Sequence, residues 1–241
     1  MNDQVPAAFE QALAAMGVQL APAQLEQLQA FVALFAEASA RFNLTAVREP
    51  EEIWSRHVLD SLSLVAHLPQ GQGGSVVDVG SGGGLPGLVL AIARPDLQFA
   101  LVDATGKKVR HIEALAQTLG LAHVKGVHGR AEDLTGLHGG PPGGVHREVY
   151  DVAVARALAP LPVLLELVVP FLRVSGLFLA IKGQRAPEEL QAAKKALQVL
   201  QTRVEGQHRT TTGTVLCLRK VGPTPRKYPR RPGEPKRLPL G

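Results

Sequence analysis

Apolar positions along the chain fall first into helical periods and then into short runs separated by polar or glycine-rich joints. Residues 6–16 and 22–41 predict two helices; in the second, Leu25, Leu28, Phe31, Val32 and Phe35 recur at three- and four-residue spacing, and Pro22 suits a first turn. A third helix is expected from about Pro50 to His67, carrying RHVLDSL. From Ser75 the pattern alternates. Strands are predicted at 75–78, 98–103, 124–128, 149–155, 176–182, 202–209 and 214–221, with helices after Pro86 and at 106–119, 160–170 and 187–200. Alternation of this kind implies an α/β fold with a doubly wound, mostly parallel seven-stranded sheet. The last two strands follow each other without a helix, and Gly213 precedes the second, so they are expected to form an antiparallel hairpin at one edge. The domain reading is a helical N-terminal cap over 1–70, a ligand-binding α/β domain over 71–222 and a tail over 223–241. Residues 136–146, GLHGGPPGGVH, read as an irregular surface loop.

Composition narrows the class. With 241 residues, 45% of them hydrophobic, the chain can bury a sizeable core, and no apolar run approaches the roughly 20 residues of a membrane span. The opening MNDQVPAAFE lacks the basic start and apolar core of a secretion signal, so a cytoplasmic location and a monomer are expected. The single Cys217 excludes an intrachain disulfide and any cysteine-based metal cage. In the apolar run TVLCLRKV it reads as a small core residue, and no metal is expected.

Charge is concentrated at the end. From Pro223 onward Arg226, Lys227, Arg230, Arg231, Lys236 and Arg237 stand against one acid, Glu234, a net +5 that equals the formal charge of the whole chain. Six prolines in this stretch predict an extended path over the surface rather than a helix or central strand. Tyr228 among the charges, with Leu238 and Leu240 near the end, suggests a segment that docks, and nucleic acid is the favoured partner.

Candidate chemistry centres on Ser75–Val89, SVVDVGSGGGLPGLV. A short apolar strand ends in Asp78, and Gly80, Gly82 and Gly84 follow at alternate positions before a helix start. Glycines so spaced let the backbone turn sharply and approach a ligand, with the positive end of the helix dipole behind them. The dinucleotide fingerprint requires a small residue where Leu85 stands, so what remains is D-x-G-x-G-x-G. A second apolar strand ends at Asp103, about 20 residues past the loop, where such folds place a carboxylate facing ribose hydroxyls. An adenosine-containing ligand fits both signals. His57, Asp60 and Ser61 include the residue types of a hydrolytic triad. They lie on one helix, no G-x-S-x-G elbow exists, and a packed helix face beside the ligand pocket is preferred.

The glycine loop, the acidic end of the second strand and the closing hairpin resemble class I S-adenosylmethionine-dependent methyltransferases, whose sheet is Rossmann-like. Within them the chain resembles the 16S rRNA (guanine-N(7))-methyltransferase G family, also called glucose-inhibited division protein B. The resemblance rests on FNLTAV at 42–47, RHVLDSL at 56–62, DVGSGGGLPG at 78–87, ARAL at 155–158, IKG at 181–183 and YPRRPGEPKRLPL at 228–240. It implies S-adenosylmethionine as cofactor and small-subunit ribosomal RNA as partner. It also implies cofactor contacts at Gly80, Leu85, Asp103, Ala104, Thr105, Ala131, Glu132 and Arg156. On this reading the three glycines meet the methionine part, Asp103 the ribose, and Ala131 with Glu132 the adenine, and Asp78 belongs to the same cofactor-binding set. Arg156 faces the reaction centre, Lys182 and the tail cations meet RNA phosphates, and Asn43 and His57 line the entrance. The family often has Phe in place of Leu85, and the 136–146 loop is longer and richer in Gly and Pro than usual.

The residue types bear on the reaction. The lone cysteine lies in the edge hairpin, away from where a cytosine-C5 enzyme needs its nucleophile, and VARALAP replaces the N/D-P-P-Y/F motif of exocyclic-amine methylases. A ring nitrogen such as guanine N7 attacks with a free lone pair and needs no general base. Two other classes stay open: a non-catalytic methyl-donor-binding assembly factor, separated by turnover, and a nicotinamide-dependent oxidoreductase, separated by hydride-transfer assays and disfavoured by Leu85.

Overall fold

Seven strands form one sheet in the order β3-β2-β1-β4-β5-β7-β6 in the computed structural model, which describes residues 5–42, 47, 49–137 and 144–241. They are β1 Ser75–Val79, β2 Gln98–Asp103, β3 Val124–His128, β4 Tyr150–Arg156, β5 Leu172–Lys182, β6 Thr202–Arg209 and β7 Thr214–Lys220. All neighbours are parallel except β5–β7 and β6–β7, so the expected antiparallel hairpin closes one edge. Helices follow the predicted alternation: α1 Ala7–Ala15, α2 Pro22–Phe42, α3 Pro50–Ile53, α4 Leu59–Leu62, α5 Gly87–Ala93 and α6 Gly106–Thr118. α7 Ala131–Thr135 was not expected between β3 and β4, whereas α8 Leu161–Val168 falls where expected. The helix expected over 187–200 divides into α9 Ala186–Ala192 and α10 Lys194–Val199, and α11 Glu234–Arg237 lies in the tail. The long helix expected from Pro50 is interrupted. A π-helical turn, Trp54–Val58, joins α3 to α4, and a 3₁₀ turn, Val65–His67, ends the run. Such π turns recur at functional sites because they re-aim side chains.

Two cores sandwich the sheet. On one face Phe9, Leu28, Phe31, Phe35, Trp54 and Leu62 from the N-terminal helices merge with Leu88, Leu90 and the inward strand residues Val76, Leu101, Val154 and Leu179. The opposite face is covered by Leu164, Leu165 and Val168 of α8 with Ala196 and Leu200, over Val77, Val79, Ala153 and Phe178. Strand residues alternate between the clusters, the period-2 signature of a sheet buried on both sides.

The tail departs from its expected extended path. Tyr228 and Leu240 are buried in the second core, and one helical turn, α11, forms with Pro235 in its first turn, where a missing amide donor costs nothing. Arg147 holds this segment by donating to the carbonyls of Tyr228 at 2.7 Å and Thr224 at 2.8 Å. Glu166, fully buried, accepts from the Arg230 amide and guanidinium at 2.6–3.2 Å. A buried carboxylate must be paired, so this contact fixes the tail's register.

Candidate functional site

The glycine loop lies where the strand order reverses, between β1 and β4, at the carboxyl ends of the parallel strands, the position at which open α/β sheets bind ligands. Gly80 and Ser81 donate their amides to the Val102 carbonyl at 2.9 and 3.0 Å, stitching the loop to β2. Gly80, Gly82 and Gly84 all have positive φ, between 57° and 95°, which glycine adopts without a Cβ penalty. Their surroundings differ. A Cβ at Gly84 would lie 2.4 Å from Leu88 Cδ1, and one at Gly80 2.6 Å from Leu158 Cδ1, whereas at Gly82 the nearest atom is 3.9 Å away. Gly84 is thus a packing glycine, Gly80 sits beneath Leu158, and Gly82 alone faces open space.

Two carboxylates frame the loop. Asp103 reaches the Gly82 amide at 3.1 Å with one oxygen and the Thr105 amide at 2.8 Å with the other. Ala104 and Thr105 beside it are exposed. Asp78 is fully buried: its Oδ2 accepts from the Gly87 amide at 2.9 Å, while Oδ1 has no hydrogen-bond partner among the described residues. Burial raises the Asp78 carboxyl to about 7, against the opposing pull of the Gly87 amide, the Ser81 hydroxyl and the Arg156 charge. Asp78 and Arg156 end neighbouring strands, paired at Asp78 and Val154.

Arg156 turns toward the N-terminal helices. It donates to His57 Nδ1 at 3.0 Å, and the charges of Asp60 and Asp78 both favour its cationic form against burial. Burial, then the Arg156 charge, pushes His57 down to about 4. A guanidinium can only donate, so Nδ1 of His57 is an acceptor and its hydrogen resides on Nε2. Ser61 donates to the His57 backbone carbonyl at 2.7 Å, and Thr212 donates to Asp60 Oδ2. Ser61 is therefore no nucleophile facing a base, in agreement with the packed-face reading. After Arg156, Ala157 takes a left-handed φ of 52°, and Leu158 arrives over Gly80.

Comparison with known proteins places this geometry. Residues 24–216 match the family model GidB, rRNA small subunit methyltransferase G. The chain belongs to this family. Among its relatives, the ribosomal RNA small subunit methyltransferase G of Moorella thermoacetica is 40% identical over 230 residues, 93% of each chain. That of Deinococcus deserti is 42% identical over 93% of this chain and 92% of its own, and that of Bacillus subtilis 36% over 96% and 97%. Among solved structures, a SAM-dependent methyltransferase from Aquifex aeolicus shares the fold at a TM-score of 0.54 and 16% identity, covering 72% of this chain and 94% of that one.

Other residues singled out in the sequence take different places. Leu85, next to the loop, is buried in the first core. Ala131 and Glu132 open α7 and are buried, and Glu132 accepts from Arg130 and from the Gly233 amide of the tail, each at 3.0 Å. Lys182 is not offered to a polyanion: it is 8% exposed, pairs with Glu189 at 2.7 Å and donates to the Ala159 carbonyl at 2.9 Å. It braces the loop after β4. Arg230 is likewise committed to Glu166, while Arg226, Lys227, Arg231, Lys236 and Arg237 are exposed. Asn43 and the centre of the 136–146 loop lie outside the described residues. The pairing of Thr212 with Asp60 was not anticipated, since 152 residues separate them. Glu166 carried a readable signal, a lone acid in the apolar run LPVLLELVVP.

Proposed function

We propose that this chain transfers the methyl group of S-adenosylmethionine to a guanine ring nitrogen, N7, in 16S ribosomal RNA, as a cytoplasmic monomer. Family membership over residues 24–216 supports the reaction class, and the observation that carries the site is the open Gly82 between Asp78 and Asp103 at the switch point. The chemistry of the donor set fits the cofactor. Asp78 Oδ1 is a buried acceptor lacking a donor, the complement of an ammonium group on the methionine part. Asp103, one-tenth exposed at its side chain beside exposed Ala104, retains acceptor capacity for ribose hydroxyls after bonding two amides. Gly80 and Gly82 supply close backbone approach. Gly84 serves the helix packing behind them, and Leu85 supports the loop from the core. Ala131 and Glu132 bound the adenine side, with Glu132 linked to the tail.

S-adenosylmethionine supplies a methyl group already activated by its sulfonium charge. What the chain must add is alignment and exclusion of water. Guanine N7 carries no proton, so no base is needed, consistent with a site whose histidine is held neutral. Arg156, oriented by His57, positions the purine or an adjoining phosphate, and Leu158 covers the loop. The five exposed tail cations meet RNA phosphates, whose neutralisation supplies affinity without sequence information.

Methyl transfer from labelled S-adenosylmethionine to small-subunit RNA tests the reading: incorporation of label by the wild type, lost in Gly82→Val, is expected. A protein that binds the cofactor tightly but transfers nothing to free RNA or to the assembled small subunit would be an assembly factor instead.

A further inference from the structure

The edge hairpin carries a second cluster of ligating side chains, unrelated to the glycine loop. His67 ends the 3₁₀ turn after α4, His208 stands on β6 and Cys217 on β7, and their candidate ligand atoms lie within 4.8 Å of one another. Cys217 is buried and reduced, His67 is half-buried and His208 exposed. The two imidazoles are tilted against each other by 38°, with ring centroids 4.5 Å apart.

The local backbone makes room for this meeting. Gly206 is the cross-strand partner of Cys217, at the irregularity in the β6–β7 ladder, and a Cβ on it would lie 3.0 Å from His208 Nε2. The missing side chain leaves a space opposite the thiol, and the His208 ring fills it. Cys217 shares a sheet row with Asp78 through Leu179 and Val154. Three strand spacings of about 4.8 Å put the cluster roughly 14 Å from the glycine loop. The nearby acid Glu205 is occupied by Arg219 at 2.8 Å and Arg203 at 3.3 Å.

We propose that His67, His208 and Cys217 bind a zinc ion, with a water in the fourth position. Two imidazoles and a thiolate form a borderline-soft donor set that suits zinc, at ligand distances of roughly 2.0–2.3 Å in tetrahedral geometry. Ligand atoms around such an ion are roughly 3.3–3.8 Å apart, so the cluster closes by about an ångström on binding. The exposed His208 ring supplies that movement by rotation. Binding releases the Cys217 proton to solvent as the zinc–sulfur bond forms. The ion ties the turn that follows the His57 helix to the edge hairpin, alongside the Thr212–Asp60 bond that joins the same two elements.

The test uses the full-length, untagged protein after dialysis against a chelator, titrated with cobalt(II) as a spectroscopic stand-in and then with zinc. The proposal predicts one cobalt per chain, the absorption of a thiolate-ligated tetrahedral ion, its displacement by zinc, and a higher melting temperature with zinc. His208→Ala removes an exposed side chain and leaves the fold intact, and it should weaken binding at least tenfold. Cys217→Ser should abolish the thiolate band. No thiolate band in the wild type, or equal cobalt affinity in the wild type and His208→Ala, would overturn the proposal.

Discussion

Arg156 donates to Nδ1 of His57 at 3.0 Å, joining the end of β4 to a π-helical turn 99 residues earlier in the chain. Burial, then the Arg156 charge, holds His57 neutral, and the bond orients the guanidinium at the strand end beside Asp78. Arg156→Lys keeps the charge but loses the planar fork, so positioning suffers while the electrostatic balance with Asp60 and Asp78 persists. Turnover should fall roughly 10–100-fold, as for a misplaced group, with cofactor affinity nearly unchanged. Steady-state kinetics beside calorimetry separate these, and wild-type kcat in Arg156→Lys would remove Arg156 from the reaction centre.

The loop glycines differ in what they tolerate. Gly82→Val should bind S-adenosylmethionine far more weakly and still fold, losing about 1–2 kcal/mol to its left-handed φ. Gly84→Val should instead fail by overpacking against Leu88. Melting temperatures with calorimetry check both, and unchanged cofactor affinity in Gly82→Val would refute the site.

Asp78 predicts a pH signature in the cofactor-free protein. Its folded carboxyl titrates near 7 against an ordinary value of 3.8, so between these the folded state binds more protons and stability drains away as pH rises. The contribution is fully present below 3.8 and gone above about 7. Asp78→Asn, which cannot ionise, should therefore gain stability relative to wild type as pH rises from 4 to 8, by at most roughly 4 kcal/mol. Its cofactor affinity should fall. Denaturant melts at several pH values test this, and a constant difference between the two proteins would contradict it.

The tail combines two roles that mutagenesis can separate. Replacing Arg226, Lys227, Arg231, Lys236 and Arg237 with alanine should leave the melting temperature nearly unchanged. The log–log salt slope of RNA binding should fall by about 0.7–0.9 for each phosphate that is no longer neutralised. Arg230→Ala should do the reverse, destabilising by roughly 3 kcal/mol because Glu166 is left buried without its cation, with the residue-230 amide still donating to it. Removal of residues 223–241 would mix both effects and disturb Glu132 as well, since Gly233 donates to it. A salt slope unaltered in the five-site variant would return the exposed cations to solvent.

The sheet was legible because each strand is an apolar run bounded by turn residues, and the lack of a helix between β6 and β7 announced their reversal. The loop was legible through its glycines, although their spacing could not tell Gly82, facing space, from Gly84, facing Leu88. Partners on different elements were hidden. Lys182 read as a free cation because Glu189 belongs to the next helix, and Arg230 looked like its exposed neighbours because Glu166 lies on α8. Proline content suggested an extended tail, yet Tyr228 and Leu240 bury enough apolar surface to fold it back, and Pro235 sits where a helix accepts it. His67, His208 and Cys217 follow no ligand spacing; the β6–β7 register brings the last two together, and the 3₁₀ turn after α4 adds His67.

The central claim is the site of methylation. Small-subunit RNA lacking this modification, incubated with the full-length protein and S-adenosylmethionine and then digested for nucleoside mass analysis, should gain one methyl group per RNA as 7-methylguanosine, with none formed by Gly82→Val. A methyl group on an exocyclic amine, a base carbon or a ribose, or no transfer by a protein that binds the cofactor, would contradict the account.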